Sequence, residues 1–225
     1  MKRGLFVLAT VTLSSALYAQ DTLTPAQVRE IFARYNPALL AQTSQNSDLK
    51  SLVDSLCASF ASQYPADTLE NRYNLIALAR NFENSLALSA ITEDYQQAVL
   101  YSQLSGNVQN SARVRAEQAL TQVYGRIWAV SVQVKEQLLA AQQQARKQAR
   151  REGNSPLVQQ YTQAIRTQKA DLKALRTDIG EQLQLLAKNS VLAAEEQARA
   201  QLQQLQAAQA DNLHIKTNHK KPVAE

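Results

Sequence analysis

The chain has 225 residues, with 24 Lys+Arg against 19 Asp+Glu, 5 Gly, 5 Pro, 1 Cys and 2 His. That length is ample for a core of one or two domains, and a hydrophobic content of 45% excludes global disorder. One Cys excludes an intrachain disulfide framework and a Cys-rich metal site, and two His leave little for a metal centre or a Ser-His-Asp arrangement.

Five Gly and five Pro are also too few for the turns of a many-stranded β protein. The chain holds 35 Ala and 29 Gln, and both residues favour helix. The expected fold is all-α: a small N-terminal helical domain followed by a long antiparallel, coiled-coil-like helical hairpin.

Residues 1–19 read as a signal peptide. Lys2 and Arg3 are a positive n-region, Leu5 to Leu13 an apolar h-region, and Ser14, Ser15 and Ala16 lead into Leu17-Tyr18-Ala19 with cleavage expected after Ala19. The h-region is shorter than a bilayer-spanning helix, and no later apolar run reaches about 20 residues. The expected product is exported, with a periplasm as the first choice of compartment and no transmembrane span in the mature chain.

Residues 20–107 are the expected N-terminal domain. Thr24-Pro25-Ala26-Gln27 is a capping box with Pro at the first helical position, and Asn36-Pro37 interrupts that helix. Asn46, Ser47 and Asp48 can cap the next helix, which sets Leu49, Leu52, Val53, Leu56 and Phe60 on one face. Cys57 reads as a buried small hydrophobe. Tyr64-Pro65 ends the helix, and Asp67 with Glu70 suggests another capping-box start. From Thr68 to Leu104 apolar residues lie on more than one face, which predicts a largely buried helix with a break near Ser89 to Thr92.

Residues 108–210 are the expected hairpin. Gly153-Asn154-Ser155-Pro156 supplies a C-terminal Gly, Ser as N-cap and Pro at the first position, so the turn lies near 153–155. Two long helices across so short a turn must be antiparallel neighbours. The seam offered is Leu120, Val123, Ile127, Val130, Val134, Leu138, Ala141 and Ala145 against Val158, Tyr161, Ile165, Leu172, Leu175, Ile179, Leu183 and Leu186. The second stretch is expected to run unbroken to about Ala210. Pairing about a turn at residue 154 sets Trp128 opposite Gly180, either as interhelical packing or as a docking point. Residues 211–225, with His214 and His219, are expected to be a disordered tail.

Charge separates along the chain. Residues 20–107 carry 5 bases and 9 acids, whereas residues 108–225 carry 17 bases and 10 acids. Around the turn, Arg146, Lys147, Arg150, Arg151, Arg166, Lys169, Lys173 and Arg176 are opposed only by Glu152 and Asp171. These eight bases are the candidate binding residues. They read either as a solvated helix surface, with cations well placed near a helix C-terminus, or as a site for an envelope protein or an anionic envelope surface. The export signal and the absence of interleaved aromatics argue against nucleic acid. No Gly-rich phosphate loop, nucleophile–base pair or metal cluster is present, so no catalytic residue, metal or cofactor is expected, and no enzyme.

Leu23-Thr24-Pro25-Ala26-Gln27 resembles the LTxxQ box of Spy-type periplasmic chaperones. A secreted basic helical hairpin is similar in shape to Skp-type chaperones. The first resemblance covers five residues and lacks the second box of that family, and no family is assigned from either. The leading expectation is a non-enzymatic cell-envelope binding or scaffolding protein. The alternatives are a holdase-type chaperone, and a coiled-coil spacer or subunit in which the Ala/Gln-rich stretch beyond Val191 joins another copy.

Overall fold

The computed structural model describes residues 22–105 and 110–218. The signal-peptide residues 1–19, the boundary at Gly106-Asn107 and the tail residues 219–225 lie outside them. Among the described residues the chain is all-α and forms no strand, only one isolated bridge between Thr22 and Ala66.

Seven helices follow one another: α1 (Pro25–Tyr35), α2 (Pro37–Thr43), α3 (Ser47–Gln63), α4 (Leu69–Ser105), α5 (Asn110–Arg151), α6 (Ser155–Leu175) and α7 (Ile179–Asn218). The capping box at α1 is formed: the Gln27 N–H donates to Thr24 Oγ1 at 3.3 Å, and the Thr24 N–H donates to Gln27 Oε1 at 2.8 Å. Asn36 separates α1 from α2 and caps the latter, accepting from the Leu39 N–H at 3.2 Å. Its side-chain amide also donates to the Ala79 carbonyl at 3.3 Å, tying this corner to α4. Asn46 caps α3 by accepting from the N–H groups of Asp48 and Leu49.

These short helices are held by large side chains. Val28, Phe32, Val53, Cys57 and Phe60 are buried with Leu75 and Ala79 of α4. Phe32 stacks on Phe60 at 5.9 Å and meets Phe82 edge-on at 6.3 Å, geometries that favour the ring quadrupoles. Leu52, expected on the core face of α3, is exposed instead, and Cys57 and Ala61 take the inner positions.

Thr68, not Asp67, caps α4: its hydroxyl accepts from the Asn71 N–H at 3.1 Å. Asp67 is held by Arg72 instead. The helix is continuous from Leu69 to Ser105, so the expected break near Ser89 to Thr92 is absent. Thr92 donates its hydroxyl to the Leu88 carbonyl one turn back at 2.7 Å, which accommodates a polar side chain without ending the helix. The mixed apolar faces have a simple cause. Leu75 and Ala79 belong to the aromatic core with α1 and α3, whereas Tyr95, with Leu88, Ile91 and Val99, belongs to a second core with α5 and α7.

The α5–α6 turn is a Schellman motif. Asn154 N–H donates to Ala149 O, Gly153 N–H donates to Arg150 O, and Gly153 sits at φ 71°. Asn154, rather than Ser155, then caps α6, accepting from the Leu157 N–H at 3.2 Å. The return stretch is not one helix. It stops at Leu175 and restarts at Ile179 across Asp178, a non-Gly residue at φ 51°. Asp is among the few side chains that tolerate this left-handed region. Trp128 does not face Gly180, beside which an added Cβ would meet nothing within 4 Å. Its indole N–H donates to the Leu175 carbonyl at 2.8 Å, partnering one of the carbonyls that the break leaves without an intrahelical donor.

The expected seam is mostly enclosed, with Leu120, Val123, Val134, Leu138, Ile165 and Leu172 buried and Leu186 left exposed. Past it the interior narrows to small residues: Ala187, Val191, Ala194 and Ala198. α7 continues as helix to Asn218, beyond residue 211 where the tail was expected to begin.

Candidate functional site

The positions of the eight candidate bases follow from how three long helices line up. α4 packs on α5 and α7, and α5 packs on α6 and α7. Arg80 reaches Gln133 and Arg126 reaches Asn84, so α4 runs antiparallel to α5. Leu69, the first residue of α4, consequently lies beside Ala141 and Ala145 of α5. The α5–α6 turn therefore stands next to the start of α4 and not far from the N-terminal helices.

The eight bases divide into groups. Lys147, Arg150 and Arg151 are exposed on the last two turns of α5. Arg166, Lys169 and Lys173 are exposed on α6 at spacings of three and four, which sets them on one flank. Arg146 is half-buried, and its Nε is enclosed without a hydrogen-bond partner. Arg176 differs from the rest because it pairs with Glu136 of α5. Asp171, one of the two opposing acids, is itself drawn to Lys135 at 3.8 Å. Glu152, the other, accepts from the Gln148 amide at 2.6 Å. Among the described residues, seven of the eight bases lack a carboxylate partner, all but Arg176. Like charges gathered this densely raise the local potential and draw anions.

Sequence reasoning missed a groove at this end. α5 carries on past the start of α4 to Arg151, so the side of α5 that α4 covers lower down is bare here. The resulting groove has a volume of about 550 Å³. Leu69, Ala141 and Ala145 form its apolar floor, and Gln144, Lys147, Gln148 and Arg151 stand around it. No carboxylate lines it.

The opposite end of the bundle is knit by a polar network. Tyr95 donates its hydroxyl to Glu195 Oε1 at 2.8 Å. Arg113 lies 3.5 Å from the same oxygen and also pairs with Glu117. Burial, then the hydrogen bond to Glu195, push the Tyr95 phenol up to about 12. Three helices contribute to this cluster, and every polar group in it has a partner, so it fixes register. Cys57 is enclosed, and burial pushes its thiol up, which is the opposite of an activated nucleophile.

Among the described residues no group of three or more His, Cys, Asp or Glu is placed to hold a metal ion. No described helix is long and apolar enough to cross a membrane. No protein-family model, no curated protein and no solved structure matches the chain.

Proposed function

We propose that the protein is an exported, non-enzymatic binding or scaffolding component of the cell envelope, in which the basic α5–α6 end engages an anionic surface or partner. In this reading α1–α3 and the first half of α4 form a small N-terminal domain, and α5–α7 form the long hairpin. The observation that carries it is the set of seven bases without a carboxylate partner among the described residues. Like charges gathered without partners repel one another, so stability alone does not account for so many bases at one end. The n-region and h-region within residues 1–19 support export.

Cosedimentation with phosphatidylglycerol vesicles and with cell-wall material tests the proposal. The variants are Lys147→Glu, Arg150→Glu and Arg151→Glu combined, and Arg166→Glu, Lys169→Glu and Lys173→Glu combined. Binding should weaken at higher salt and fall at least ten-fold in each triple variant. Binding that ignores both salt and the substitutions overturns the reading.

A second reading is a holdase chaperone. Leu185 and Leu192, seven apart on α7, are 59% and 45% exposed, and Leu86 of α4 is 53% exposed. Apolar surface of this kind suits transient contact with unfolded clients. Suppression of client aggregation at near-stoichiometric ratio, lost in Leu185→Gln with Leu192→Gln, would favour it over the first.

A further inference from the structure

Two surface cavities among the described residues differ in the chemistry of their linings. One, of about 300 Å³, lies along α1, where the acid Glu30 stands in the same lining as Arg34, and Arg72 is committed to Asp67. The other is the groove at the start of α4. It combines an apolar floor with two cations that have no carboxylate partner among the described residues. Its volume lies within the usual range of small-molecule sites, roughly 300–1,000 Å³.

We propose that this groove takes an amphiphilic organic anion. Its apolar part would lie on Leu69, Ala141 and Ala145, and its anionic group between Lys147 and Arg151. A bare anion would gain the cations but leave the apolar floor wet. A neutral apolar ligand would cover the floor but gain nothing from the charges. Only a molecule with both parts uses the whole surface, since burial of apolar area and charge-assisted hydrogen bonds are separate contributions. Glu152 beside the groove is held by Gln148, which turns its carboxylate to an internal partner. The proposal rests on the reading of the α5–α6 end as an anion-binding site and names the chemical class of ligand.

Calorimetric titration of the full chain tests it with three probes: decyl phosphate below its micelle concentration, inorganic phosphate, and decyl maltoside. Decyl phosphate should bind at least ten-fold more tightly than either of the others. Ala145→Trp, which fills the groove, should weaken decyl phosphate at least ten-fold with the far-UV spectrum unchanged. Leu69→Gln serves the same purpose by making the floor polar, should the larger side chain disturb folding. Lys147→Gln with Arg151→Gln should bring decyl phosphate close to decyl maltoside. Equal affinity for decyl phosphate and inorganic phosphate, or indifference to the groove variants, overturns the proposal.

Competition then distinguishes the source. Release of the protein from phosphatidylglycerol vesicles by decyl phosphate identifies a bilayer lipid, and vesicle binding that persists with the groove filled identifies a free amphiphile. The two readings fail separately. Vesicle and cell-wall binding without decyl phosphate binding removes the groove alone, and decyl phosphate binding without either removes the envelope-surface reading alone.

Discussion

The aromatic core of α1–α4 and the small-residue core of α4, α5 and α7 solve the same problem in different ways. In the first, helices as short as seven residues pack around Phe32, whose ring meets both Phe60 and Phe82. Short helices are marginal alone, so each must gain much from a few large buried side chains. In the second, helices of 37, 42 and 40 residues meet through Ala116, Ala187, Val191 and Ala194, with Tyr95 and Leu120 as the large buried side chains. Most contacts from α7 there are small, but close approach repeated over many turns accumulates dispersion. Hydrogen bonds such as Tyr124 to Ser190 at 2.7 Å then fix the register. Large side chains permit short elements, whereas small ones require long elements and polar ties.

α4 belongs to both cores, so damage to one can be read in the other. Leu75 is fully buried in the aromatic core, and Leu75→Ala should cost about 2–5 kcal/mol. Because α4 is one unbroken helix packed on α5 and α7, the loss should reach those helices. The single tryptophan, Trp128, lies on α5. Its emission and the far-UV signal should therefore shift together in a denaturant titration. A Trp128 transition left unmoved would show the two cores to be independent.

The small-residue seam should resist enlargement. Ala194 is fully buried, and Ala194→Leu should cost about 1–3 kcal/mol through overpacking. The same change at an exposed Ala of α7, such as Ala200, should cost little. Equal effects at both positions would mean that close approach of the helices is not what holds this region.

Tyr95→Phe should cost about 1–3 kcal/mol, since it removes a hydrogen bond to a charged group. The phenol pKa is raised, so the neutral form is the favoured one. Its contribution is full below pH 10 and is lost as the pH rises toward about 12. Alkaline unfolding should therefore be less steep in the variant than in the parent chain.

The smallest effect is expected at Asp67, before the start of α4. The hydrogen bond from Arg72 lowers its carboxyl below the usual 3.8, against an opposing push from burial. That contribution is present above the usual value and is lost as the pH falls through the lowered one. Asp67→Asn should lower neutral stability slightly and leave stability in strong acid nearly unchanged, so the acid limb becomes flatter.

The features that were legible in the sequence are local ones. The capping box at Thr24, the interruption at Asn36-Pro37 and the reversal at Gly153 each depend on a few consecutive residues, and each forms. The α6–α7 break was not legible. Arg176-Thr177-Asp178 contains no Pro or Gly, and its residues sit as readily on a helix surface. The missing signal was Trp128, which lies 47 positions from the carbonyl it meets. The candidate site divides likewise. The eight bases can be counted in the chain, but the neutralisation of Arg176 by Glu136 joins residues 40 apart.

By itself the sequence determined an all-α chain with its charge gathered around one reversal, because helix propensity, capping and net charge are properties of neighbouring residues. Only the tertiary structure decided that α4 joins two cores and that its first turn stops short of the end of α5. Those outcomes depend on which long helices lie side by side and in what register. That choice is set by surfaces far apart in the chain, and it turned a row of basic residues into the wall of a groove.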